Sequence, residues 1–277
     1  LRAFTEDFGL MARIAAIHAL GDIWAMGARP QAALAQIILP PMSAALQAAT
    51  LAEIMAEAAA ILGPEGADMV GGHTSSGAEM TLGFTITGLA EGPVIGQSGA
   101  RPGDALILTK PLGTGVILAA EMARAASGPD VAAALAAMAR PQGTAARILA
   151  AAGAGAMTDV TGFGLAGHLV GLLQSSRVAA RLDLAALPLL PGAEALAGAG
   201  RHSTLAPSNR AALAGALTIP AGARADLLFD PQTAGGLLAA LPADRAAATL
   251  AALGAAGEAA AIIGRITEGP PHLTATA

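Results

Sequence analysis

Cysteine is missing from all 277 residues. That excludes disulfides, thiolate-held metals and a cysteine nucleophile within this chain. Tyrosine is missing too, aromatic side chains total 2%, and Lys110 is the single lysine. A chain so poor in stacking platforms and basic clusters gives no footprint for nucleic acid. Residues 30–52 carry no charge, but Pro30, Pro40, Pro41 and several polar residues interrupt them. No membrane span of about 20 strongly apolar residues is therefore expected. No G-x-x-x-x-G-K-[ST] loop occurs, so a nucleotide would have to bind by another scheme. No secretory signal is visible, which makes cytoplasm the expected compartment.

What is present is apolar and small. Apolar residues make up 54% and charged residues 13%, with a formal net charge of −5. A core is easily built, and it must come from Ala, Leu, Ile, Val and Met. The mean hydropathy of +0.60 reflects alanine more than long apolar runs. The length allows one large domain or two ordinary ones.

Residues 6–27 have apolar positions at helical spacing and stop at Gly27, and 43–62 read as a second helix. Residues 32–40, 67–72 and 79–90 read as strands, the middle one running into a glycine turn at "GGHT" (71–74). The Gly- and Pro-rich stretch 91–104 reads as a linker. Beyond it the pattern predicts strands at 105–110, 156–160, 179–184, 225–230, 235–241 and 260–266. Helices are predicted within 114–126 and at 130–153, 164–176 and 243–256. Strands and helices mix without a strict βαβ repeat, which predicts an α+β fold. The expected domains are 1–97 and 98–277.

Four stretches bear on chemistry. Asp22 falls in the last turn of the first helix, where the macrodipole disfavours an anion. His18, four residues earlier, shares its face. The pair either ties down a helix end or keeps a carboxylate for a metal or ligand. In "GGHT" the glycines permit a sharp turn and close approach to a ligand, and Thr74 offers a hydroxyl and an amide to phosphate oxygens. An ordinary strand-end turn would look the same. "TDVTGFGLAG" (158–167) contains G-x-G-x-x-G between a strand and a helix, with Asp183 about 20 residues on, as a Rossmann fingerprint requires. Against that reading, Asp159 stands beside the place of the pyrophosphate, and "PLLPG" interrupts the next βα unit. Acid and glycine turn are reconciled if Mg²⁺ sits between Asp159 and phosphates. Asp159 or Thr161 could instead cap the following helix. "DPQTAGG" (230–236) reads as a structural turn joining two apolar strands.

Together "HALGDIWAMGARP", "GGHT", "TKPLGTG", "MTDVTGFGLAGHL" and "DPQTAGGLL" resemble the selenophosphate synthetase (selenide, water dikinase) family, in order and spacing from residue 1 to about 267. The wider superfamily includes aminoimidazole ribonucleotide synthetase, thiamine-monophosphate kinase and the HypE-type hydrogenase maturation factor. The resemblance implies a two-domain aminoimidazole ribonucleotide synthetase-like α+β fold, and a homodimer built through the sheets of the N-terminal domain. It implies an ATP- and Mg²⁺-dependent kinase that converts selenide, ATP and water to selenophosphate, AMP and orthophosphate. Asp22 and Asp159 match family aspartates that bind Mg²⁺, with Asp22 at the ATP phosphates. Gly72, His73 and Thr74 match a loop that reaches ATP from the neighbouring subunit. The two aspartates are expected to converge in one cleft.

The family's Cys or Sec, its catalytic lysine and two further aspartates would fall upstream of Leu1, so no catalytic residue is assigned within this chain. Lys110, in "TKPLG", matches a different place. The chain is thus expected to be a synthetase body that is inactive without its N-terminal arm. The alternatives are a non-catalytic nucleotide-binding or regulatory module of a longer fusion with an upstream domain, or another kinase of the superfamily. Neither nucleic acid nor membrane is an expected partner.

Overall fold

The computed structural model describes all 277 residues. The chain divides into two compact units, residues 1–94 with 139–143, and residues 95–138 with 144–277.

The first unit contains α1 (Phe8–Ala25), β1 (Arg29–Leu39), α2 (Ala44–Leu62), β2 (Asp68–Ser76) and β3 (Thr81–Leu89). Asp7 opens α1 by accepting the Leu10 N–H at 2.8 Å, and Ser43 opens α2 by accepting that of Leu46 at 3.3 Å. Each cap satisfies one of the donors that a helix start leaves unpaired. The sheet has the order β2-β1-β3, with β2 parallel and β3 antiparallel to β1. Ala33, Ala35, Ile37 and Leu39 of β1 are buried while Leu34 and Gln36 between them are exposed, so one face of the sheet packs inward and the other is open. The core joins Met11, Ala12 and Ala15 of α1 to Ala35, Ile37, Ile54 and Leu82. Arg13 and Glu57 tie α1 to α2 at 2.6 Å.

Two expectations for this unit are corrected. First, α1 and α2 are long and apolar enough to cross a membrane by length and composition alone. Ten residues of α1 are buried within the fold. α2 buries a stripe, Thr50, Ile54, Ala58 and Leu62, at every fourth position, as a helix lying on a core does. Second, "GGHT" is not a turn. β2 continues through it to Ser76, paired with β1 as far as Leu39. Val70 is an extra residue between the pairs Ala33–Met69 and Leu34–Gly71, so the strand bulges there. Gly72 follows with φ +156°, and a Cβ on it would lie 2.3 Å from the Ala35 carbonyl oxygen. The second glycine thus lets two strands approach.

The second unit is built on a seven-stranded sheet of order β5-β8-β4-β9-β6-β10-β7. Its strands are β4 (Ala105–Leu108), β5 (Ala156–Asp159), β6 (Ala179–Asp183), β7 (Leu217–Thr218), β8 (Leu237–Leu241), β9 (Ala261–Thr267) and β10 (Leu273–Thr276). The helices are α3 (Thr114–Met122), α4 (Gly128–Met138), α5 (Gly143–Ala151), α6 (Gly164–Ser176), α7 (Ala193–Gly198), α8 (Ala206–Ala212), α9 (Ala223–Asp226) and α10 (Ala243–Ala255). Interior β4 is buried along its whole length between β8 and β9, both antiparallel to it. α6 supplies Leu165, Leu169, Leu172 and Leu173 to the main core, where they meet Leu106, Leu108, Leu238 and Ile266.

The helix expected over 130–153 is two, because Pro141 removes a helical hydrogen bond and α4 ends before it. The strand expected at 225–230 is instead α9 followed by a 3-10 turn, Leu227–Phe229. Leu227, Leu228 and Phe229 are all buried, Leu227 in a small cluster with Val116 and Ile117, the other two in the main core. A tight turn buries three consecutive side chains in different directions, and an apolar run alone does not separate that case from a strand. α7, α8, β7 and β10 were not marked by the sequence pattern.

Candidate functional site

β4 and β5 each run antiparallel to β8. The exits of β4 and β5 and the entry to β8 therefore share one end of the sheet. The three segments found there are 109–114, 159–164 and 230–236, which hold "TKPLGT", "DVTGFG" and "DPQTAGG". Hydrogen bonds lock them together. The Thr109 hydroxyl accepts the Leu237 N–H at 2.7 Å, and Lys110 Nζ donates to the Ala234 carbonyl at 2.8 Å. Val160 N–H donates to the Gly236 carbonyl, and Gln232 N–H to that of Thr161, both at 2.9 Å. The glycines let backbones cross: a Cβ on Gly235 would sit 2.0 Å from the Val160 carbonyl oxygen, and one on Gly236 2.5 Å from the Lys110 nitrogen. Ala234 beside them has φ +47°, a left-handed conformation costly for a residue with a side chain.

Asp159 closes β5, paired in register with Leu237, and is 9% exposed. It does not cap α6, and neither does Thr161: the cap residue is Phe163, with no side-chain hydrogen bond. The glycine fingerprint serves packing. Gly164, at φ +70°, would place a Cβ 2.7 Å from the Leu228 carbonyl oxygen, and the Gly162 carbonyl accepts Asn209 Nδ2 at 2.9 Å. β5 is an edge strand without a parallel neighbour, and Asp183 accepts the Ala185 N–H to start a 3-10 turn. The Rossmann reading is thereby removed.

Two titratable groups near these loops are displaced by burial. His168 Nε2 accepts the Thr161 N–H at 3.0 Å, so the ring is neutral with its proton on Nδ1. Desolvation lowers it to about 4. Asp230 Oδ2 accepts the Gly115 N–H at 3.0 Å, at the start of α3, while buried Oδ1 has no partner. Desolvation raises its carboxyl from 3.8 to about 7, opposed by hydrogen bonds from Val116, Gln232 and Gly115.

In the first unit, Asp22 lies exposed in the last turn of α1, with His18 one turn earlier. Burial holds the His18 imidazole below its ordinary range, the N-terminal ammonium adds to this, and Asp22 opposes it. Gly72, His73 and Thr74 are exposed on edge strand β2. No group of three or more His, Asp or Glu side chains is gathered to hold a metal by protein ligands alone. The candidate donors, Asp22 and Asp159, are carboxylates. Each, in its own unit, is a single hard oxygen donor of the kind that fits Mg²⁺, which keeps phosphate oxygens and waters in its shell.

The sequence pattern left Lys110, Asp230 and Gln232 aside. All three are buried polar residues of the locked loops. The signal available was that two short apolar strands end in, and a third begins after, a polar, glycine-bearing segment.

Two family models match the chain. Residues 2–90 match the N-terminal domain of AIR synthase related protein and residues 101–274 its C-terminal domain. A selenide, water dikinase of Geobacter metallireducens is 40% identical over 239 residues, covering 85% of this chain and 69% of that protein. Among solved structures, thiamine-monophosphate kinase from Stenotrophomonas maltophilia superposes with a TM-score of 0.73 at 22% identity, over 96% of this chain and 78% of the other. The hydrogenase maturation protein HypE in complex with ATP does so with a TM-score of 0.67 at 20% identity, over 93% and 71%. These two show a shared fold.

Proposed function

The chain belongs to the selenide, water dikinase family of phosphotransferases, and from that premise we propose that it uses ATP and Mg²⁺ to convert selenide and water to selenophosphate, AMP and orthophosphate. The observation that carries the reading is the junction of the three loops. It holds the Asp159 carboxylate at a strand end, inside a rigid frame, without spending it on a helix cap. Phosphoryl transfer asks a protein for positioning and charge neutralisation more than for covalent chemistry. Asp22 in the first unit and Asp159 in the second would each offer a carboxylate ligand to Mg²⁺, which when bound neutralises phosphate charge. Gly72, His73 and Thr74 would reach the nucleotide of a neighbouring subunit through backbone amides and a hydroxyl. A homodimer would cover the open face of the three-stranded sheet, where Leu34 is 48% and Val70 63% exposed. The solved HypE complex with ATP supports nucleotide use, and the test below reads it directly.

Phosphorus NMR of the protein with ATP, Mg²⁺ and selenide under anaerobic conditions tests the reaction. Selenophosphate with AMP is the expected outcome. ATP consumption indifferent to selenide would overturn the selenide assignment. Calorimetry with a non-hydrolysable ATP analogue tests the site: Asp159→Ala should weaken Mg²⁺-dependent binding and leave the melting temperature of the free protein nearly unchanged. Light scattering at micromolar concentration tests the dimer, and a monomer mass would refute it.

A further inference from the structure

We propose that Gln232 is a positioning residue for the Asp159 carboxylate, fixing the 230–236 segment to the start of α3 so that this segment holds the Asp159 loop in place. The inference rests on the metal role of Asp159 proposed above.

Gln232 is 3% exposed and uses both polar atoms of its side chain and its own N–H. Its Oε1 accepts the Gly113 N–H at 3.0 Å, the Thr114 N–H at 3.2 Å and the Thr114 hydroxyl at 3.2 Å. Its Nε2 donates to the Asp230 carbonyl at 2.8 Å and to Asp230 Oδ2 at 2.9 Å. Its own N–H donates to the Thr161 carbonyl at 2.9 Å. One residue therefore touches all three loops. Gly113, the cap position of α3, has no side chain to satisfy the helix start, and Gln232 supplies that acceptor from 119 residues away.

A helix cap alone requires only an acceptor. Three features go further. The amide end of Gln232 ties Asp230 to the same helix start. Its main chain grips Thr161, two residues past Asp159. Gly235 and Gly236 then thread so tightly past Val160 and Lys110 that the segment cannot shift without moving them. Only an amide side chain of this length offers an acceptor and two donors in this arrangement. A glutamate would set an acceptor against Asp230. An alanine would leave the buried amides of Gly113 and Thr114 unpaired.

Outer partners that orient a metal-ligating carboxylate typically change metal affinity by about 10–100-fold when removed. The probe is Mn²⁺ in the presence of a non-hydrolysable ATP analogue, with free Mn²⁺ read by electron paramagnetic resonance. Gln232→Ala should weaken Mn²⁺ binding within that range, and so should Gln232→Glu. Should Gln232→Ala fold and bind Mn²⁺ as the parent does while Asp159→Ala loses it, Gln232 is a cap only and the inference is wrong. Should Asp159→Ala itself bind Mn²⁺ like the parent, it is the metal reading that fails. Hydrogen exchange on the parent needs no variant: Mn²⁺ with the analogue should protect amides 113–116 and 230–236 together with 160–164. Protection confined to 160–164 would overturn the coupling.

Discussion

Replacing Asp230 by asparagine should stabilise the protein, and by an amount that grows with pH. In the folded chain the carboxyl titrates near 7 because burial disfavours its charge, against 3.8 ordinarily. Above 3.8 the unfolded chain has released this proton while the folded chain keeps it. Folding therefore loses stability as pH rises from about 4 to about 7, and the loss is constant beyond. Each pH unit of separation is worth about 1.36 kcal/mol, so the full effect approaches ~4 kcal/mol, and ~3 kcal/mol accrues between about pH 4.5 and neutrality. Asparagine carries no charge and can accept the Gly115 N–H with its Oδ1. Urea denaturation of parent and Asp230→Asn at about pH 4.5, 6 and 8 measures it, and taking the difference cancels every other titrating group. The difference should be smallest at the acid end and widen by ~3 kcal/mol toward neutrality. An unchanging difference across the three pH values would show that Asp230 is ionised in the folded state, with its second oxygen satisfied.

His168 works with the opposite sign. Its folded value of about 4 lies below the ordinary 6.5, so it contributes a loss of stability as pH falls through that window, and its ring protons should show no titration by NMR between about pH 5 and 8. His168→Ala leaves the Thr161 N–H without its acceptor and should cost about 1–3 kcal/mol in urea denaturation. Gly72→Ala drives a Cβ to 2.3 Å from the Ala35 carbonyl oxygen; it should cost about 3 kcal/mol or more and speed hydrogen exchange in β2. Gly83→Ala, on β3 at the other edge of the same sheet with nothing within 4 Å, is the control and should be neutral or stabilising by up to about 1 kcal/mol. If both glycine variants melt alike, close strand approach is not what Gly72 serves.

Where local chemistry decides, the sequence was readable. The apolar spacing over 6–27 and 43–62 marks the helices found as Phe8–Ala25 and Ala44–Leu62. Where a residue's partner lies far along the chain, it was not. The 225–230 run reads as a strand because its burial comes from α6 and α3 together, which a local apolar pattern does not encode. "GGHT" reads as a turn because glycine marks both turns and close strand pairs; only the register with Ala35 separates them. Asp22 and Asp159 look alike as acids near helix ends, yet one is exposed and the other closes a buried strand. Gln232 looked like a turn residue since its three acceptor contacts lie more than 110 residues upstream.

The place of β4 in the interior of its sheet bears on synthesis. Its four residues are all buried, and neither neighbour, β8 or β9, exists until the ribosome has added residues 237–241 and 261–267. At ~5–20 residues per second, this strand waits roughly six to thirty seconds without a pairing partner. Throughout that interval an apolar edge with free backbone donors and acceptors is open to other nascent chains. The same delay holds for the three loops, because the segment that binds them together, 230–236, emerges more than 100 residues after the first of them, 109–114. Expression of this unit should therefore respond to slower translation or to chaperone supply more than its finished stability suggests, and a chain stopped before residue 237 should be found in aggregates.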